Sequence, residues 1–116
     1  MKVVKPEELK PEAVEFNGAY IPGVTIRWLI RREDGAEHFA MRYFELEPGA
    51  VIPEHHHEWE HEIFILQGKL IITEGTEERV VESGTAVFIK PNVPHSYKNI
   101  GDTKVLMLCV IPYLKL

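Results

Sequence analysis

Four of the chain's six histidines fall in one short segment, Glu54-His55-His56-His57-Glu58-Trp59-Glu60-His61. Neutral imidazole is the commonest metal ligand in proteins and is available near neutral pH. A strand sends alternate side chains to one face, so His55 and His57 are expected to point together and His56 to point away. Glu58-Trp59-Glu60 reads as a turn, after which His61 opens a strand running on as Glu62-Ile63-Phe64-Ile65-Leu66. A hairpin-like return would bring His61 beside His55 and His57. A fourth imidazole, His95, lies in Pro91-Asn92-Val93-Pro94-His95-Ser96-Tyr97, where a proline-rich turn would aim it rigidly. Three or four imidazoles around one ion, with positions left open, suit a catalytic metal. A run of His, Glu and Trp also fits a solvated loop, and it is the distant His95 that favours a metal site. The run lies mid-chain, so it is not a purification tag. His38 and His56 are expected to be non-ligands. Ligands near the ordinary imidazole pKa would release the metal below about pH 6.

The elements that must position these residues are short. Val24–Ile30, Phe39–Leu46, Ile63–Leu66, Lys69–Thr73, Arg79–Glu82, Ala86–Ile89 and Val105–Ile111 are β-rich runs. Glu33-Asp34-Gly35, Pro48-Gly49, Gln67-Gly68, Glu74-Gly75, Ser83-Gly84, Pro91-Asn92 and Gly101-Asp102 separate them. Turn residues at such even spacing predict an antiparallel sandwich or barrel. No stretch carries a helical apolar period, beyond a possible short turn at Pro6-Glu7-Glu8-Leu9. Residues 1–20 are rich in Pro and Glu and are read as an N-terminal arm on a barrel of residues 21–116. The arm would pack on its own barrel or cross to a second subunit.

With 116 residues the chain is expected to be one domain. Its net charge of -5, with no Lys/Arg block, argues against a nucleic-acid surface. The apolar run Val105–Pro112 is too short to span a bilayer. No apolar signal region occurs in Met1–Leu9, so a cytoplasmic location is expected. Cys109, the one cysteine, cannot form an internal disulfide and reads as a small apolar core residue or as a thiol facing a pocket.

At the histidines the sequence resembles the cupin superfamily. The family's first motif is Gly, five residues, His-x-His, three or four residues, Glu, six residues, Gly. Gly49, His55, His57, His61 and Gly68 fit that spacing, with His61 at the acidic position. The second motif, Gly, five residues, Pro-x-Gly, two residues, His, three residues, Asn, is met at Gly84, His95 and Asn99. Lys90 stands in place of its Pro and Asn92 in place of its Gly, and Asn tolerates left-handed backbone angles. The resemblance implies an all-β double-stranded β-helix, a jelly-roll cupin barrel. The sequence is similar to small single-domain RmlC-like cupins with an all-histidine site, including a thermophile type known with manganese.

That resemblance implies one divalent transition metal held by His55, His57, His61 and His95, with manganese favoured. Imidazole equally suits iron, zinc, copper and nickel. If His95 points inward, strand parity takes Tyr97 with it. Both faces of Val105–Ile111 are apolar, so parity leaves its inner face open, and resemblance selects Met107 and Cys109 for the pocket. Arg42 shares a face with Ala40, Phe44 and Leu46. It is either turned inward to meet an acid or an oxygenated ligand, or turned outward in a surface ion pair. Trp59 either caps the pocket mouth or anchors the loop. One of Glu58, Glu60 and Glu62 can support a ligand imidazole while the rest face solvent.

A metal of this kind with open positions can activate dioxygen, peroxide or water. The expected function is a metal-dependent, dioxygenase-like oxidoreductase acting on a small organic substrate, with Tyr97 and Arg42 as the candidates for orienting it. The alternatives are a non-catalytic cupin that binds a small molecule or metal, and a metal-dependent isomerase. A homodimer is expected from the arm and the habits of the fold.

Overall fold

The computed structural model describes residues 1–113; residues 114–116, the last three of the expected barrel range, lie outside the described residues. Ten strands follow in chain order: β1 (Glu12–Phe16), β2 (Ala19–Ile30), β3 (Phe39–Leu46), β4 (Val51–His55), β5 (His61–Gln67), β6 (Lys69–Glu74), β7 (Glu77–Glu82), β8 (Ala86–Ile89), β9 (His95–Asn99) and β10 (Val105–Pro112). Two 3₁₀ turns, Pro6–Glu8 and Arg32–Asp34, are the helical elements among the described residues.

The strands form two antiparallel sheets. One has six strands in the order β1-β2-β3-β10-β5-β8, the other four in the order β4-β9-β6-β7. This is a jelly-roll β-sandwich. Burial along β5 shows why: His61, Ile63 and Ile65 are buried, while Glu62, Phe64 and Leu66 are exposed. The period of two gives each sheet one inward face. Ile63, Ile65, Leu46 and Met107 of the larger sheet share a core with Ile52, Leu70, Ile72 and Tyr97 of the smaller one.

Three features differ from the expectation or extend it. Residues 12–16, within the segment read as an arm, form β1 and pair with this chain's own β2. The turn between them is Asn17-Gly18, with φ of 52° and 81°. Positive φ at both central residues is what a two-residue type I′ hairpin requires. Next, His57 is not on a strand: β4 ends at His55, and residues 56–60 are loop. The alternation nevertheless continues, with His55 and His57 half-buried and His56 exposed. Finally, β4 and β5 do not form a hairpin. They lie in different sheets, and the loop between them crosses the sandwich. Pro53 helps to explain this, because it cannot donate to a ladder. Proline-bearing strands are confined to edges or bulges, and β4 is an edge strand whose register on β9 shifts between Ile52 and His55.

The motif glycine Gly68 closes the β5–β6 turn with φ of 92°, and a Cβ there would lie 2.8 Å from the Lys104 carbonyl oxygen. Asn99, buried at the end of β9, donates through Nδ2 to the carbonyls of Leu46 and Thr103, each at 2.9 Å, and its Oδ1 accepts from Gly101 N–H. These contacts tie β9, and with it His95, to the adjoining loops.

Candidate metal centre

The four histidines arrive from three stretches of chain. His55 ends β4 and His95 begins β9, and the two are cross-strand partners. His61 begins β5 in the opposite sheet, and His57 hangs from the crossing loop. That loop is pinned to the turn before β9 by Asn92 N–H, which donates to the His57 carbonyl at 2.8 Å. Asn92 itself has φ of 65°, the left-handed conformation that Asn tolerates. One nitrogen from each of the four imidazoles lies within 4.8 Å of the others.

Hydrogen bonds decide which nitrogen faces inward. The Nδ1 atoms of His55, His57 and His95 lie 2.8, 3.0 and 2.9 Å from the carbonyl oxygens of Pro53, Trp59 and Val93. A carbonyl only accepts, so each Nδ1 carries the proton and each Nε2 presents a lone pair. The fourth ring has no carbonyl. His61 Nδ1 lies 3.1 Å from Cys109 Sγ and 3.1 Å from Arg42 Nη2. Arginine only donates, so Nδ1 accepts from Arg42 when it is unprotonated, and when the ring turns its Nε2 lone pair inward and Nδ1 carries the proton, the sulfur is the acceptor available to it. Arg42 Nη2 also donates to Cys109 Sγ, at 2.9 Å. Cys109 thereby supports His61 in the way a carboxylate often supports a metal-bound histidine.

This arrangement fits a cation. Among the described residues His95 Nε2 is buried without a hydrogen-bond partner, and the Nε2 atoms of His57 and His61 lie only 2.7 Å apart. Unprotonated nitrogens facing one another repel unless an electropositive centre lies between them. Burial also disfavours the charged form of His55, His57 and His61. It pushes His57 from 6.5 down to about 4 and His55 in the same direction. His61 falls to about 2, chiefly through burial and then through the neighbouring Arg42 charge.

A cavity of about 310 Å³ opens beside the imidazoles. Trp59, Tyr97, Met107, Cys109 and Arg42 all line it, together with His55, His57 and His61. The odd-numbered face of β10 is therefore the inner one, which settles the ambiguity of its two apolar faces. Arg42 is turned inward, with its guanidinium 5.1 Å from the Phe44 ring and 5.8 Å from the Trp28 ring. Trp59 stacks flat on His57 at 4.1 Å between ring centroids, with 4° between planes. Burial pushes the Tyr97 hydroxyl above its ordinary range and likewise raises the Cys109 thiol, which Arg42 pulls the other way. His38 and His56 are exposed and lie outside the four-histidine group; Glu58, Glu60 and Glu62 are also exposed.

One wall is absent from the sequence reading. Val14 and Phe16 of β1, Trp28 of β2 and Phe44 of β3 all line the cavity, and the Phe16 ring lies 4.7 Å from that of His55. The Asn17-Gly18 turn signal, set between apolar alternations, is the clue that places Val14 and Phe16 there.

Fold and site together define a β-sandwich protein with a four-imidazole centre able to hold a metal ion. The chain belongs to the cupin family: the family model described as the cupin domain matches residues 42–111. Among curated relatives, it is similar to an oxalate-binding protein of Thermotoga maritima, 30% identical over 113 residues, covering 94% of this chain and 92% of that one. Among solved structures, it resembles the polyketide cyclase RemF from Streptomyces resistomycificus, with 34% identity and a TM-score of 0.88, covering 97% of this chain and 79% of that one. It also resembles a predicted oxalate decarboxylase from Thermotoga maritima, with 27% identity and a TM-score of 0.82, covering 97% and 100%.

Proposed function

We propose that this cupin is a metal-dependent, dioxygenase-like oxidoreductase acting on a small organic substrate. His55, His57, His61 and His95 hold one divalent transition metal, with manganese favoured over iron, zinc, copper or nickel. The observation that carries the reading is the pairing of four converging imidazoles with an open, largely aromatic cavity directly beside them. A metal bound there supplies redox or Lewis-acid activation of dioxygen, peroxide or water. The protein's own residues do the rest. Stacking by Trp59 and the carbonyl acceptors fix the imidazoles before the ion arrives, which lowers the ordering cost of binding it. Burial keeps the Tyr97 hydroxyl protonated, so it can donate to a substrate oxygen, and Arg42 orients a polar substrate group. The apolar walls limit bulk water around that substrate.

A second reading is a binding protein without turnover, favoured by the Thermotoga maritima relative that is described as oxalate-binding. Elemental analysis of protein purified without added metal, followed by oxygen or peroxide uptake on a substrate panel after loading with each metal, separates the two. Uptake coupled to substrate loss supports the enzyme. Binding without turnover across the panel and all five metals supports the second reading, and no metal uptake defeats both metal-based readings.

A further inference from the structure

We infer that the cavity takes a small organic anion with a flat, unsaturated body, its charged end meeting Arg42. This deepens the proposed function, and rests on it for the location of the ligand. The argument begins with a charge. Among the described residues, no carboxylate lies within ion-pairing distance of the Arg42 guanidinium. Its neighbours are the Trp28 and Phe44 rings, His61 and a sulfur. Among the described residues its buried Nε has no hydrogen-bond partner. A cation in apolar surroundings is costly unless it is paired. Imidazole carries no negative charge whether or not it is protonated, so the ligand set supplies no compensation. A divalent ion beside Arg42 would raise the local excess further. An anion entering from outside would supply the compensating charge.

The walls specify the rest of the molecule. Phe16, Trp28, Phe44, Trp59 and Tyr97 place aromatic surface around the space, with Ile52 and Met107 behind them. Glu12 and Glu15 also line it, but both are exposed on β1, and Glu12 lies 3.5 Å from Arg31 at the rim. The negative charge is thus on exposed side chains and the positive charge on a half-buried one. That polarity favours a ligand entering charged end first, with its body left among the rings. A cavity of about 310 Å³ holds on the order of ten waters at ~30 Å³ each, the size of a one- or two-ring compound. Oxalate, with two charges and no apolar body, would leave most of this wall unused.

The test is calorimetric titration of naphthoate, its neutral isostere naphthalenemethanol, and oxalate into metal-free and manganese-loaded protein. Naphthoate is expected to bind about tenfold or more tighter than the alcohol in both forms, as a charge-assisted hydrogen bond allows. It should also outbind oxalate in the metal-free form. In metal-free Arg42→Met protein the preference for the acid over the alcohol should vanish. Equal binding of acid and alcohol by the wild type, oxalate outbinding naphthoate in the metal-free form, or a preference that survives in Arg42→Met would each overturn the inference. The wild-type comparison needs no variant and decides by itself if Arg42→Met does not fold. Protein that takes up no metal, yet prefers naphthoate when metal-free, would sink the metal reading and leave the anion preference standing.

Discussion

Each inward imidazole is defined by what holds its other nitrogen. For three rings the holder is a backbone carbonyl two residues away, so no side-chain substitution removes it. His61 depends on a side chain, Cys109, and is therefore the ligand most exposed to mutation. Cys109→Ala should weaken metal affinity by roughly 10–100-fold, the usual cost of losing an outer partner, and Cys109→Ser should restore part of it. His61→Ala should cost more than either, and His56→Ala nothing measurable. Competition against a chelator reads all four, and equal losses for His61→Ala and His56→Ala would contradict the assignment. The cobalt-loaded spectrum should shift in Cys109→Ala, a change that general loosening of β10 would not produce without a loss of thermal stability. Burial also moves the expected pH response. A metal site of ordinary imidazoles would empty near pH 6, but His57 and His61 resist protonation down to about 4 and about 2. Proton competition for these two ligands should thus set in below the ordinary imidazole range. In the metal-free protein the unfolded chain binds more protons than the folded one below 6.5, so stability falls as pH falls. It should be undiminished above 6.5 and decline from there through about 4. Thermal melts across that window check the sign, and a flat profile would contradict it.

At the scale of elements, the cavity's outer wall depends on one hairpin. Asn17 and Gly18 both sit at positive φ, and β1 beyond them carries Phe16 to the His55 ring. Gly18→Ala meets no steric neighbour, so its cost is conformational, on the order of 1 kcal/mol. It should appear as a lower Tm and as faster hydrogen exchange in residues 12–16 than in β10. Uniform exchange across the sheet would show that β1 is not separately anchored. This hairpin also shows where sequence reasoning works and where it stops. The His55/His57 alternation and the run of short strands are local patterns of period two, and they are legible without a fold. Asn-Gly between two apolar alternations is just as local, and reading residues 1–20 as a Pro- and Glu-rich arm passes over it. The division of β4 and β5 between sheets is different, because it is set by pairing with β9 and β10, some 40 residues away in sequence. Nor can a strand apolar on both faces, such as β10, declare its inner one. Only the packed partner decides that, and here the partner is Arg42, which pairs in register with Cys109.

For the whole molecule, the inner face of the six-stranded sheet is covered by the second sheet, while the β10-β5-β8 part of its outer face also carries large apolar side chains. Phe64 and Leu66 of β5 are 42% and 43% exposed, and Phe88 of β8 is 52% exposed. Leu106, Leu108 and Val110 of β10 are half-buried on the same side. Register places Leu108 beside Phe64, and Phe88 beside Glu62, so these side chains share one face, with Glu62 among them and Glu45 beside Leu106. An apolar patch of this kind on a small domain marks an association surface. A second copy of the chain is the occupant proposed here, since a two-fold axis needs only one self-complementary patch. Pairing the faces would bury the phenylalanines of both copies and leave the cavity mouths, on the opposite side of the sheet, free for ligand. Sedimentation equilibrium should therefore report a dimer. Phe88→Glu should convert it to a monomer, because two carboxylates would meet near the axis beside Glu62. Metal affinity should change little in that variant, as Phe88 points away from the imidazoles. A wild-type monomer at tens of micromolar would refute the dimer, and a Phe88→Glu protein that stays dimeric would place the interface elsewhere on the barrel.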